Sequence, residues 1–285
     1  MARQSKRTEL LIRTESDGLP TTSIGTWALD KYKLASLYSQ LFSTGMKNIW
    51  STRVYSDLYA GSGFSQLKGT EQTYYGSPLL ALGVDDPFNT YVFCERDEDS
   101  LNALRQRTKR LFPNADVQFV AGDCNQKINE VMKWIPIGDS VLSFCFADPF
   151  DLSIKFSTIR RMASRRTDFL FILALNMDGS RAAVYYARPR NQKIDEFLDL
   201  PDWRTKWSLA EANKVPFPRF LADLFSKQMV GIGYLPVPFY QMKQIRSDFN
   251  QPLYHLALFS KHRRAYDFWG EVLKYGTDQG ELGFG

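Results

Sequence analysis

Histidine is scarce in this 285-residue chain, with only His255 and His262 present. Two imidazoles argue against metal catalysis through histidine ligands and against a Ser-His-Asp triad. Cysteine is almost as rare. Cys94, Cys124 and Cys145 are dispersed, odd in number and without CxxC spacing, so neither a disulfide framework nor a zinc site is expected. Long apolar runs are missing too: Phe169–Leu175 is far short of the ~20 residues that cross a bilayer. The opening MARQSKRTELL is basic but is followed by no apolar stretch or small-residue cleavage site, so no secretory leader is expected. The full GxGxxG dinucleotide fingerprint and the GxxxxGK[ST] phosphate loop are both lacking. What remains is a soluble, cytoplasmic protein without a resident metal.

The composition is that of an ordinary globular protein, 44% hydrophobic and 24% charged. We expect an N-terminal arm over residues 1–22 and a single domain over 23–285, with insertions near 65–89 and 178–216. Trp27–Phe42 spaces its apolar residues as an amphipathic helix. Five nearly continuous apolar runs follow, at Arg53–Tyr59, Tyr91–Cys94, Val117–Val120, Ser140–Ala147 and Phe169–Leu175. Such runs suit parallel strands covered on both faces. Helical patterns at Asp99–Leu111 and Asn125–Trp134 separate some of them, and a further helical stretch covers Phe217–Met229. Gln241–Ser247 and Pro252–Ser260 flank a short polar turn as an antiparallel hairpin, and Ala265–Tyr275 reads as a closing helix. Five βα units and a terminal hairpin give an α/β chain with a mostly parallel seven-stranded sheet. That is the element order of a Rossmann-like class I methyltransferase fold with helical additions.

Asp57–Gly63, DLYAGSG, lies where the first strand ends. Gly61 and Gly63 allow backbone conformations that side chains forbid and a close approach to a ligand. Acidic residues then stand at successive strand ends: Asp57, Glu95, Asp123 and Asp148. A carboxylate after the second strand can accept from ribose hydroxyls, and one after the third can take an adenine amino group. Together they point to S-adenosylmethionine (SAM), held by Asp57, Tyr59, Ala60, Gly61, Gly63, Glu95, Arg96, Asp123 and Cys124. Asp148, Pro149 and Phe150 form the catalytic candidate, similar to the [DNS]-P-P-[YF] signature of methyltransferases that modify base amino groups. The second proline is missing, and the segment is closer to the variant in tRNA guanine-N2 dimethyltransferases. A carboxylate and a backbone carbonyl there can both accept from an NH2 group while an aromatic ring stacks on the base. Tyr75–Ala81, YGSPLLA, is similar to a segment of the bacterial family that methylates an adenine amino group of large-subunit ribosomal RNA; Gly76 and Ser77 could present backbone donors.

The formal charge is +5, and its distribution is uneven. Lys155, Arg160, Arg161, Arg165 and Arg166 fall within twelve residues, a density that suits either a solvated helix face or a stripe of phosphate contacts. Trp203, Trp207, Tyr185 and Tyr186 suit either core positions or base-stacking platforms.

Taken whole, the chain resembles the three-Cys-motif partner family (TcmP). The resemblance rests on WALDKY, DLYAGSG, YGSPLLAL, CERD, GDCN, ADPF and the C-terminal ELGF. That family is named for a neighbouring protein whose three-cysteine motif is similar to radical-SAM-type clusters; the dispersed cysteines of this chain are not that motif. The resemblance implies a class I methyltransferase-like fold and a protein partner. The expected activity is SAM-dependent methylation of nucleic acid, RNA or DNA, at a base exocyclic amino group. The alternative is a SAM-binding, non-catalytic partner subunit of the three-cysteine protein.

Overall fold

The computed structural model describes residues 12–176 and 182–277. Residues 1–11 of the expected arm, residues 178–181 of the second insertion and the ELGF segment at 281–284 lie outside the described residues. In chain order the elements are β1 (Arg13–Thr14), β2 (Thr22–Ile24), α1 (Trp27–Met46), β3 (Thr52–Asp57), β4 (Phe64–Leu67), β5 (Thr73–Tyr75) and α2 (Ser77–Leu82). Next come β6 (Thr90–Glu95), α3 (Glu98–Leu111), β7 (Val117–Ala121), α4 (Cys124–Val131), β8 (Val141–Ala147), α5 (Phe156–Met162) and β9 (Thr167–Leu173). The chain closes with α6 (Ala182–Tyr186), α7 (Lys193–Leu198), α8 (Trp203–Ala212), α9 (Phe217–Gly231), β10 (Lys243–Arg246), β11 (Pro252–Phe259) and α10 (Arg263–Thr277).

The main sheet has the order β10-β11-β9-β8-β3-β6-β7. Strands β3, β6, β7, β8 and β9 are parallel, whereas β11 runs antiparallel to both β9 and β10. This is the strand arrangement of the Rossmann-like class I methyltransferase fold. Its physical basis is the apolar character of the central strands: all seven residues of β9 are buried. Strand alternation sorts side chains between two cores. Val54, Val92, Cys145 and Phe171 face the layer that holds α4, α5 and α9, while Tyr55, Phe93, Phe144 and Ile172 face α1, α2 and α10. Chain order reverses between β3 and β8, which lie side by side, so a crevice opens at their carboxyl ends. Among the described residues, no helix is long and apolar enough to cross a membrane.

From residue 12 the lead-in is not a free arm. It supplies two strands of a second, four-stranded sheet, β1-β5-β4-β2, whose other members lie between β3 and β6. Arg13 pairs with Tyr74 and Thr22 with Ser65. Trp203, Trp207 and Tyr186 belong to the core, and only Tyr185 of the four candidate stacking residues is exposed.

One buried cation ties these parts together. The Arg107 guanidinium on α3 is inaccessible to solvent, with Nε and Nη2 bonding both carboxylate oxygens of Asp17 at 3.0 and 2.5 Å. Nη1 donates to the carbonyls of Pro20 (2.8 Å) and Ser62 (2.7 Å), and the guanidinium lies 4.0 Å from the Phe64 ring centroid. The guanidinium bonds hold the Asp17 carboxyl well below the usual carboxylate range. Replacing Arg107 by Met leaves Asp17 with Arg110 alone and strips the Leu19, Pro20 and Ser62 carbonyls of their donor, so Arg107→Met should lose about 3–5 kcal/mol in urea unfolding. A loss under ~1 kcal/mol would show that the lead-in is held by other contacts.

Candidate functional site

The glycine-rich turn is held in place at each of its residues. Asp57, the last residue of β3, is fully buried; Oδ1 accepts the Tyr59 N–H at 3.1 Å and Oδ2 accepts the Ser77 hydroxyl at 2.7 Å. This local turn ends the strand at Asp57, two residues before the end expected from the apolar run. Ala60 donates its N–H to the Cys94 carbonyl at 3.0 Å, and Gly61, at φ +62°, donates to Glu95 Oε2 at 2.8 Å. At Gly63, φ is +85° and a Cβ would sit 2.8 Å from the Leu104 side chain. Gly76 N–H closes on the Gly63 carbonyl at 2.7 Å. The YGSPLLA segment therefore latches the turn, and its Gly76 N–H and Ser77 hydroxyl are already engaged within the protein.

A cavity of about 540 Å3 opens over this turn at the carboxyl ends of the parallel strands. Glu95 and Asp123 line it, together with Tyr59, Ala60, Gly61, Gly63, Arg96 and Cys124. Asp57 does not: it lies behind the turn, where burial pushes its carboxyl up to about 7. Glu95 takes one backbone N–H on each oxygen, from Gly61 and Asp97, at 2.8 Å. A carboxylate has about four acceptor positions, so two hydroxyl donors can still be received. Asp123 caps α4 through Oδ1 on Asn125 N–H at 2.7 Å. Burial pushes the Cys124 thiol up to about 11, which makes it an apolar wall rather than a nucleophile.

Across the cavity stand Asp148, Pro149 and Phe150, which leave the end of β8. Phe150 is 81% exposed. Asp148 meets a residue that the sequence reading missed: Lys31 of α1 places Nζ 2.5 Å from Asp148 Oδ2, the two side chains 11% and 12% exposed. Burial alone would push the ammonium down, but the Asp148 carboxylate outweighs it and holds Lys31 above the usual lysine range. The ammonium also lies 5.4 and 5.5 Å from the ring centroids of Tyr32 and Tyr254, both of which line the cavity. The available signal was positional. Lys31 sits three residues after Ala28 and four before Ala35, on the stripe that α1 buries.

The five basic residues near α5 lie outside the lining of this cavity. Lys155, Arg160 and Arg166 pair with Glu196, Asp199 and Asp139. Arg161 donates to Asn129 Oδ1 and Arg165 to the Ile135 carbonyl. Much of the apparent charge density is thus compensated by acids that are distant in sequence. Arg96 and Lys68, both exposed, are the cations at the cavity itself besides Lys31.

No family model matches the chain, and no curated protein matches it in sequence. Solved structures resemble it at low identity. An O-methyltransferase from Bacillus cereus, in complex with SAH, is 12% identical, with 80% of each chain covered and a TM-score of 0.44. A geranyl diphosphate methyltransferase in complex with SAM is 9% identical, over 82% of this chain and 87% of that one, with a TM-score of 0.43. The cyclopropane synthase MmaA2 from Mycobacterium tuberculosis is 10% identical, over 89% and 73%, with a TM-score of 0.40. Similarity at this level says nothing of a substrate.

The raised carboxyl of Asp57 has a definite sign. The folded state holds its proton more tightly than the unfolded state, so the stabilisation is complete below about pH 4 and is lost as pH rises to about 7. Across that window, urea unfolding should show wild-type stability falling more steeply than that of Asp57→Asn. Parallel curves would rule out this titration.

Proposed function

We propose that the chain is a SAM-dependent methyltransferase that acts on an exocyclic amino group of a base in nucleic acid. One observation carries the reading: Glu95, Asp123, the glycine-rich turn and Asp148 converge on a single cavity at the switch point of the sheet. The donor set fits the cofactor. Glu95 has acceptor positions left for ribose hydroxyls, Asp123 Oδ2 for an adenine amino group, and the side-chain-free face of Gly61 admits a ligand to the backbone. Bound SAM would supply an electrophilic methyl group.

The protein's own part is positioning and proton handling. Lys31 engages Asp148 Oδ2 and leaves Oδ1 to accept from an entering amino group, alongside the Pro149 carbonyl. With Oδ2 held by Lys31, Oδ1 is placed to take the proton released as the methylated nitrogen returns to neutrality. Phe150, with the Tyr32 and Tyr254 rings beside the pair, suits a flat acceptor. Holding nitrogen and methyl in line accounts for most of the expected rate gain. A base in a duplex would have to be flipped out to reach Asp148.

A second reading draws on the same ion pair. With one Asp148 oxygen already engaged by Lys31, the chain would be a SAM-binding partner subunit of a three-cysteine protein, as its resemblance to the TcmP family implies, without transferring methyl groups itself. The two readings separate in a transfer assay on RNA and DNA, analysed by nucleoside mass spectrometry.

S-adenosylhomocysteine at ~100 times its dissociation constant should stabilise the protein by ~2.7 kcal/mol. Asp148→Ala should keep that stabilisation and lose methyl transfer. Full transfer by this variant would sink the catalytic assignment, and no stabilisation of the wild type would sink the cofactor. Charge reversal at Lys68 and Arg96 should weaken oligonucleotide binding and lower its salt slope by about 2. Unchanged affinity and slope would argue against a nucleic-acid acceptor.

A further inference from the structure

A second cavity, of about 350 Å3, opens on the opposite side of the sheet's length, where β8 and β9 begin. Its walls are apolar, formed by Phe42 and Met46 of α1, Ile49, Trp50, Leu142 and Phe268 of α10. Its inner end is not. Asp168 of β9 projects to the α1 side, as Leu170 and Ile172 do, and it is 9% exposed with no ion pair among the described residues. Beside it, the Tyr38 hydroxyl is fully buried and makes no hydrogen bond of normal geometry, although it and the Ser260 hydroxyl both face the Asp168 carboxyl. Nothing in the proposed methyl transfer uses Asp168 or Tyr38.

The mouth is basic. Lys261, His262 and Arg264 are exposed there. Lys261 donates to the Ala163 carbonyl and Arg166 is paired with Asp139, whereas Arg264 has no ion pair among the described residues. The pattern is thus a buried carboxyl with hydroxyls, apolar walls, and a cation.

We infer that this cavity is a binding site for a small phenolic acid. The phenol hydroxyl donates to Asp168 and accepts from Tyr38, the ring fills the slot between Phe42 and Phe268, and the carboxylate meets Arg264 and His262. The volume lies at the lower end of the range for small-molecule sites. Burial pushes the Asp168 carboxyl up to about 7, in keeping with a group that lacks a cation of its own.

Isothermal titration with 4-hydroxyphenylacetate tests the assignment on the full chain. One saturable site is expected. Phenylacetate, which lacks the hydroxyl, and 4-methylphenol, which lacks the carboxylate, should each bind about tenfold more weakly. Tyr38→Phe should reduce the preference for 4-hydroxyphenylacetate over phenylacetate, with Asp168 still accepting from the phenol, and the surface change Arg264→Ser should reduce the preference over 4-methylphenol. Saturating S-adenosylhomocysteine should leave the affinity unchanged. No saturable binding, binding that ignores both substitutions, or competition with S-adenosylhomocysteine would each overturn the proposal.

Discussion

The buried guanidinium of Arg107 fixes the geometry on which the main cavity depends. A charge with no solvent contact is tolerable only when its donors are met, and here they are met by two separate stretches of chain: Asp17, Leu19 and Pro20, then Ser62, with the Phe64 ring beneath. Because the guanidinium is planar and forked, it sets orientation as well as distance. The lead-in is drawn against α3, and the carbonyl between the two critical glycines is turned away from the cavity. Gly61 N–H is then left to Glu95 and the Gly63 carbonyl to Gly76. The ligand face of the turn is what remains once these backbone groups have been claimed.

Much of the fold was legible because its signals are local. Continuous apolar runs gave the parallel strands, the Asp248–Gln251 turn gave the hairpin, and strand-end acids pointed to one edge of the sheet. The lead-in strands escaped notice because β1 and β2 are two and three residues long, largely polar, and paired with partners far along the chain. Asp57 illustrates a different limit. Its type and position mark it as part of the site, but burial and the Ser77 hydroxyl direct it inward. The basic residues near α5 illustrate a third. Their density is plain in sequence, whereas Glu196, Asp199 and Asp139, which offset it, come from other elements.

Lys31 and Asp148 are 117 positions apart, and only packing of α1 across the sheet brings them together. Their pair is nearly desolvated, so it persists only because both charges are matched and the Tyr32 and Tyr254 rings flank the ammonium. A strand-end carboxylate read from sequence alone is a free acceptor. In the folded chain one of its oxygens is already held by Lys31 and the other is left.

Helix α1 extends for 20 residues, about 30 Å at the usual rise, and walls both cavities. Lys31 faces one and Tyr38 the other, seven positions or about 10 Å apart along the axis. The helix is a single rod shared by two chambers, so its seating against α10 bears on the walls of both. Gly45 sets the clearance of that rod, since even a methyl there would drive into the Phe268 ring, 2.5 Å away.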